Sequence, residues 1–163
     1  GSYESAKVIQ GKTGEETEQF INRLKALPNI RLHGMVTPGQ LANSIQQVDA
    51  FLICYDVEKD QSKGTNYHKV LEFISTGKVI IANNTSAYED KPGMVMMVKE
   101  RQHNENLPAL FKQVVSQLSM YNADELQAKR KQYAADNSYS KQVDRIEIIL
   151  SKQMPAGIQK AER

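Results

Sequence analysis

Two short, uninterrupted apolar runs constrain the fold of this chain more than any other feature. Residues 50–55 and residues 79–82 are all apolar. Runs of this length suit strands of a parallel sheet that are buried on both faces. Between them, residues 67–76 carry apolar side chains at helical spacing, and Gly77 follows as a stop signal. A strand, a helix and a second strand in succession predict an α/β fold, with a Rossmann-like parallel sheet covered by helices on both faces.

The same alternation continues on either side of these runs. Weaker strands are predicted at residues 6–10, 30–33 and 94–98, and helices at residues 13–27, 37–48 and 107–118. Thr37 and Gln40 form a capping box around Pro38, which marks a helix start. Two further helices are expected, one capped by Asn122 and a last one capped by Ser138. The apolar side chains of the last helix are expected to face the core: Val143, Ile146, Ile149 and Leu150.

Composition excludes several classes of protein. The 163 residues are 40% hydrophobic with a net charge of +2, which suits one folded domain and excludes disorder as the main state. Twenty-one basic residues face 19 acidic ones, so no nucleic-acid partner is expected. No apolar run approaches the roughly 18 residues of a membrane span, and no signal peptide is visible. Cys54 is the only cysteine, which fits a reducing, cytoplasmic location.

Domain boundaries follow from the two ends of the sequence. Gly1 and Ser2 are interpreted as an expression scar. Residues 3–154 are expected to form one domain, and residues 155–163 a polar tail.

The segment of residues 63–72 is the strongest candidate for chemistry. Ligands of parallel sheets bind beyond the carboxyl ends of the strands, and this segment is a glycine-containing loop that enters a helix. Free backbone N–H groups at such a helix start favour an anion such as phosphate. Lys69 lies in the first turn, and Glu72 follows one turn later, where a carboxylate could accept hydrogen bonds from sugar hydroxyls. The alternative is an ordinary surface Lys–Glu pair.

Other reactive residues give weaker signals. His33, His68 and His103 lack the spacing of metal ligands, so no metal site is expected. Cys54 lies in an apolar run and is interpreted as a structural thiol. The basic run of residues 129–131 is interpreted as a solvated helix face.

Four stretches of the chain resemble one enzyme family. Residues 27–36 are similar to its PNV-x-F-x-G strand and turn, and residues 49–55 to its D-x-x-L-x-P strand. Residues 67–82 are similar to K-x-x-E-Y-x-A-x-G-K-P-V-V-A, the most specific motif, and residues 136–140 to A-x-x-N-S-W. Over residues 8–150 the chain thus resembles the C-terminal, donor-binding domain of retaining, family 4-like GT-B glycosyltransferases, which build bacterial polysaccharides.

The resemblance implies a nucleoside-diphosphate sugar as substrate, bound without a metal or other cofactor. It implies that Glu72 holds the ribose hydroxyls, with Lys69 in the same motif. The loop residues Gly64, Thr65 and Asn66 would approach the diphosphate and the donor sugar, and the turn of Gly34, Met35 and Val36 would lie against the base. It assigns no catalytic residue. Contact with the inner face of the membrane would belong to another domain of the full-length enzyme.

The sequence departs from the family pattern in three ways. Gly64 stands where the first glutamate of an E-x7-E pattern is usual, and Val79 stands where a proline is usual. The first strand of such a domain, with its Arg and Lys for the diphosphate, and the acceptor-binding N-terminal domain would both precede residue 1. We therefore expect a fragment that is inactive alone and that could self-associate through an incomplete sheet. The alternative is a non-catalytic nucleotide- or protein-binding module of the same fold.

Overall fold

The computed structural model describes residues 14–55, residue 57 and residues 67–153. The chain divides into two compact units, Gly1–Gln47 and Val48–Arg163. Within the described ranges, no helix combines the length and the apolar character that crossing a membrane requires.

From residue 14 onward, the first unit contains two helices, α1 (Gly14–Lys25) and α2 (Pro38–Ile45). The capping box at the start of α2 is confirmed. The Gln40 N–H donates to Thr37 Oγ1 at 3.3 Å, and the Thr37 N–H donates to Gln40 Oε1 at 2.9 Å. Pro38 occupies the first turn, where its missing N–H costs nothing.

The strand predicted at residues 30–33 is wrong, because those residues have no regular structure. An alternating pattern makes a strand only when a neighbouring strand supplies the hydrogen bonds, and the sequence pattern does not reveal that neighbour. The strand predicted at residues 6–10 and the tail of residues 155–163 lie outside the described residues.

The second unit is built on a parallel sheet with the order β1-β2-β3. Its strands are β1 (Ala50–Ile53), β2 (Val79–Ala82) and β3 (Met96–Met97), and α3 (Tyr67–Ser75) connects the first two. Phe51 lies opposite Ile80 and Leu52 opposite Ile81. The coarse prediction is confirmed: the unit is α/β with a parallel sheet.

The two faces of this sheet pack against different helices. On one face, the ring of Phe51 stacks on Phe73 of α3 with centroids 4.1 Å apart and planes 7° apart. On the other face, Val79 and Ile81 pack with Val114 of α4 (Leu107–Ser116). Strand β2 is therefore buried on both faces, as its apolar run predicts.

Strand β1 departs from that expectation at one position. Leu52 is 54% exposed, although its register partner Ile81 is fully buried. Helix α4 covers this face over β2 and β3, and within the described part of the chain nothing buries Leu52 to the same degree.

The C-terminal part contains three more helices: α5 (Leu118–Tyr121), α6 (Asp124–Asp136) and α7 (Tyr139–Gln153). The helix predicted over residues 107–118 is thus divided between α4 and α5. The predicted inward face of α7 is wrong, because the four apolar side chains expected there are about half exposed. They are Val143, Ile146, Ile149 and Leu150.

A buried arginine connects α6 to three other backbone segments. Arg130 is 1% exposed, and its guanidinium donates to the carbonyl oxygens of Gly93, Gly77 and Tyr121 at 2.9, 3.0 and 2.9 Å. Burial lowers the pKa of Arg130 from its ordinary value. The interpretation of residues 129–131 as a solvated face is therefore wrong at Arg130, because three carbonyl groups replace its water.

Candidate functional site

Two asparagines join the carboxyl ends of β1 and β2 to the turn before α4. The backbone N–H of Tyr55, just past β1, donates to Asn83 Oδ1 at 2.9 Å. The Tyr55 carbonyl accepts from Asn104 Nδ2 at 2.8 Å. Asn83 follows β2 and Asn104 precedes α4, so the backbone of Tyr55 is held from both sides. This is the edge of the sheet at which parallel α/β folds bind ligands.

A charged pair lies near the same edge, where Arg101 donates two hydrogen bonds to Glu89. Arg101 Nη2 is 2.6 Å from Glu89 Oε2, and Nε donates to Oε1 at 3.2 Å. Asn84 Nδ2 also donates to Glu89 Oε1, at 3.1 Å. The guanidinium, and secondly the amide, hold the pKa of Glu89 below its ordinary value. The guanidinium of Arg101 thus already has a carboxylate partner within the protein.

Helix α3 carries two of the predicted site residues. Lys69 and Glu72 are exposed, whereas Val70 and Ile74 of the same helix are fully buried. The two predicted side chains lie one turn apart, so they share the solvent side of α3. Gly64, Thr65 and Asn66 lie outside the described residues, and their assignment stays a prediction.

Glu72 opens onto a groove of about 480 Å³ between α3, α6 and the start of α7. A volume of this size falls within the range of small-molecule sites, about 300–1,000 Å³. Three side chains of α3, three of α6, one of the following turn and one of α7 line it. They are Leu71, Glu72 and Ser75, then Lys131, Ala134 and Ala135, then Ser138 and Tyr139.

The predicted base-binding turn belongs to the first unit. Gly34 adopts a φ of 68°, a left-handed conformation that glycine accepts at little cost. Met35 and Val36 follow it with exposed side chains. The turn thus presents an apolar surface of the kind that a flat base needs. It belongs to the first unit, whereas Lys69 and Glu72 belong to the second. Its assignment to a base stays a prediction.

A second cavity of about 370 Å³ lies past the end of β1 and is lined mainly by apolar side chains, among them Leu52 and Phe111. Cys54 also lines it and is exposed, so the thiol is not buried in the strand as its apolar surroundings in the sequence suggested. Asn104 reaches the same cavity, and its Oδ1 is buried without a hydrogen-bond partner. No metal-binding group of three or more His, Cys, Asp or Glu side chains occurs in the parts of the chain that the structure describes.

Sequence reasoning missed the structural roles of Asn83 and Asn104. The sequence did contain a signal for Asn83, because a polar side chain directly after a buried strand is well placed to bind backbone groups at the sheet edge. Asn104 had no comparable signal, since its contact with Tyr55 joins distant parts of the sequence. The groove beside Glu72 was also missed, because α6, the turn that follows it and α7 supply most of its lining residues. Comparison with family models, curated proteins and solved structures found no match.

Proposed function

We propose that this chain is the donor-binding domain of a GT-B, family 4-like glycosyltransferase of bacterial polysaccharide or glycoconjugate synthesis. The observation that carries the proposal is the position of Glu72. The helix that follows β1 presents this carboxylate, with Lys69 one turn earlier, on its exposed side, and Glu72 opens onto a groove of ligand size. The motif of residues 67–82 supports the same reading, because the family's ribose-binding glutamate matches Glu72.

The sheet supports the proposal at the level of topology. In a doubly wound sheet with the strand order 3-2-1-4-5-6, the last three strands lie side by side in sequence order. Strands β1, β2 and β3 have that arrangement. The first strand of the family would then lie beside β1, and the half-exposed Leu52 is compatible with a neighbour at that place.

In this proposal, each group of the donor meets a chemically suitable partner. Glu72 accepts hydrogen bonds from the ribose, and the resemblance assigns Gly64, Thr65 and Asn66 to the diphosphate and the donor sugar. The family resemblance alone assigns the turn of Gly34, Met35 and Val36 to the base. The diphosphate gains negative charge as it leaves, so fixed amides and cations stabilise the transition state. The proposal includes no metal ion and leaves the catalytic residues unassigned.

We also propose that the chain acts within a larger enzyme and is inactive alone. Transfer in this family requires an acceptor domain that faces the donor domain. The half-exposed apolar side chains of α7 recur at helical spacing and support a role within a larger assembly, because contiguous apolar surface marks interaction sites.

The test is calorimetric titration of the chain with UDP, GDP and their sugar esters. We expect weak binding of one of the diphosphates and at least about a tenfold loss for Glu72→Gln, since one carboxylate hydrogen bond contributes about 1.5–3 kcal/mol. Glu147→Gln is the matched control, because Glu147 is exposed on α7 and does not line the groove. Equal affinities of Glu72→Gln and the wild type would overturn the assignment of Glu72.

A second candidate is a non-catalytic nucleotide- or protein-binding module of the same fold. Gly64 favours it, because this residue stands where the family usually has its first glutamate. Assays of the intact protein separate the two. An intact protein that binds the nucleotide but transfers no sugar to any acceptor would support the module, whereas transfer would support the enzyme.

A further inference from the structure

The groove beside Glu72 contains an aromatic residue that the proposed function does not use. Tyr139, the first residue of α7, lines this groove, and it is 77% exposed. A tyrosine offers a broad apolar face and a polar tip, which suits contact with amphipathic ligands.

The direction in which α6 runs along α3 determines the end of the groove at which Tyr139 lies. A Cβ on Gly77, just past the end of α3, would lie 2.9 Å from Lys131 Cε and 3.1 Å from Gln127 Cβ. The middle of α6 therefore lies at the C-terminal end of α3. Later residues of α6 line the groove with Leu71 and Glu72, so α6 runs antiparallel to α3. Tyr139 thus lies toward the amino end of α3, on the side of Lys69.

The groove combines the chemistry that a sugar ring needs. Its walls are mainly apolar, from Leu71, Ala134 and Ala135, while Glu72 and Lys131 bring opposite charges to the same space. A sugar ring has one face rich in C–H groups and a rim of hydroxyls. The C–H face can pack on an aromatic ring, and the hydroxyls can donate to a carboxylate.

We propose that Tyr139 is a second ligand-contacting residue of this groove, packing on a sugar ring whose hydroxyls donate to Glu72. The identification of that ring as the ribose of a nucleotide rests on the proposed function. The binding of a sugar ring as such depends only on the groove.

Nuclear magnetic resonance titration of the full chain tests both statements. The probes are UDP, GDP and methyl β-ribofuranoside, each added to the wild type, Tyr139→Ala and Tyr139→Phe. We expect shifts at the amides of Glu72, Ser138 and Tyr139. Affinity should fall about tenfold in Tyr139→Ala and less than about threefold in Tyr139→Phe, since the ring and not the hydroxyl supplies the contact. Phe111→Ala removes a partly exposed ring at the other cavity and should bind like the wild type.

The outcomes separate the two proposals. Binding of a diphosphate that is equally strong in the wild type and Tyr139→Ala overturns the role of Tyr139 and leaves the proposed function intact. Shifts at the groove with the riboside, but with neither diphosphate, support the groove as a sugar site and count against the proposed function. Shifts at none of these amides with any probe overturn the sugar site. Thermal unfolding of each variant shows whether a loss of binding reflects a loss of folding.

Discussion

The side chain of Asn122 accepts a hydrogen bond from the backbone N–H of Val79 at 2.8 Å, at the start of the central strand β2. Its Nδ2 also donates to the carbonyl of Asp49 at 2.7 Å, just before β1. One amide therefore joins the amino ends of two neighbouring strands. The sequence predicted a helix cap at Asn122, but Ala123 occupies the cap position of α6.

Replacement of Asn122 by alanine should destabilise the fold. The substitution removes the partner of the Val79 N–H and of the exposed Asp49 carbonyl, and an unsatisfied group costs about 1–3 kcal/mol where it is buried, as at Val79. Urea unfolding followed by circular dichroism measures the loss. Gln132→Ala is the control, because the Gln132 side chain donates to Asp136 on the exposed side of α6, and its cost should stay below about 0.5 kcal/mol. A stability equal to that of the wild type would mean that water replaces the Asn122 bonds at no cost.

Replacement of two glycines by alanine should change the stability of the protein in opposite directions. Gly77 has a φ of +81°, and an added Cβ would approach the carbonyl oxygen of Gln127 to 3.1 Å. Strain in the left-handed region costs about 1–2 kcal/mol, so Gly77→Ala should be destabilising by at least that amount. Gly39 lies in α2 with nothing within 4 Å of an added Cβ, so Gly39→Ala should stabilise by about 0.5 kcal/mol. Melting temperatures that move in the same direction for both variants would contradict this account.

Local sequence patterns predicted the part of the fold that depends on neighbours along the chain. The two apolar runs became β1 and β2, the helical stripe became α3, and Gly77 ends it with a positive φ. For the same reason, Lys69 and Glu72 were predicted correctly to share the exposed side of one helix. These features need only strand length, helical spacing and glycine conformation.

The features that depend on distant parts of the chain were not predictable in this way. Leu52 and Arg130 reverse the usual preferences, since the leucine is half exposed and the arginine is buried. Arg130 is buried because carbonyls from three separate segments meet at its guanidinium. The Tyr139 side of the groove depends likewise on how α6 packs along α3. A local pattern of residue types does not predict contacts between segments that are distant in the sequence.

The Glu89–Arg101 pair should make stability depend on pH in the acidic range. The pKa of Glu89 is lowered in the folded protein, so its contribution is fully present above the ordinary glutamate pKa of about 4.3 and is lost as the pH falls through the lower, folded value. Between about pH 5 and pH 3, the unfolding free energy should therefore fall more steeply for the wild type than for Glu89→Gln. Asp90 and Glu100 also have lowered pKa values and contribute to the same window in both proteins.

Urea unfolding at several pH values and two salt concentrations measures this difference. Added salt should reduce it, because both partners are partly exposed and screened by ions. Parallel curves for the wild type and Glu89→Gln would show that the ion pair contributes nothing to the pH dependence.

Substitutions of Lys69 and of Glu72 should change the affinities for nucleotides and nucleosides in different ways. In the proposed donor site, the ammonium in the first turn of α3 faces the phosphates, whereas the carboxylate accepts from the ribose. Lys69→Met should therefore weaken UDP or GDP by about tenfold while leaving uridine or guanosine within about twofold. Glu72→Gln should weaken the diphosphate and the nucleoside by similar factors, because both contain the ribose. Lys141→Met, at an exposed position on α7 outside the groove, controls for the loss of one positive charge.

The salt dependence of binding provides an independent check on Lys69. An interaction between this cation and a phosphate weakens as ionic strength rises, so the wild type should lose affinity for the diphosphate between about 50 and 300 mM salt. Lys69→Met should show a smaller loss over the same range, since one of the screened charges is gone. If the variant and the wild type lose affinity in parallel, the diphosphate does not meet Lys69, and the pair on α3 is the surface Lys–Glu pair that the sequence left as an alternative.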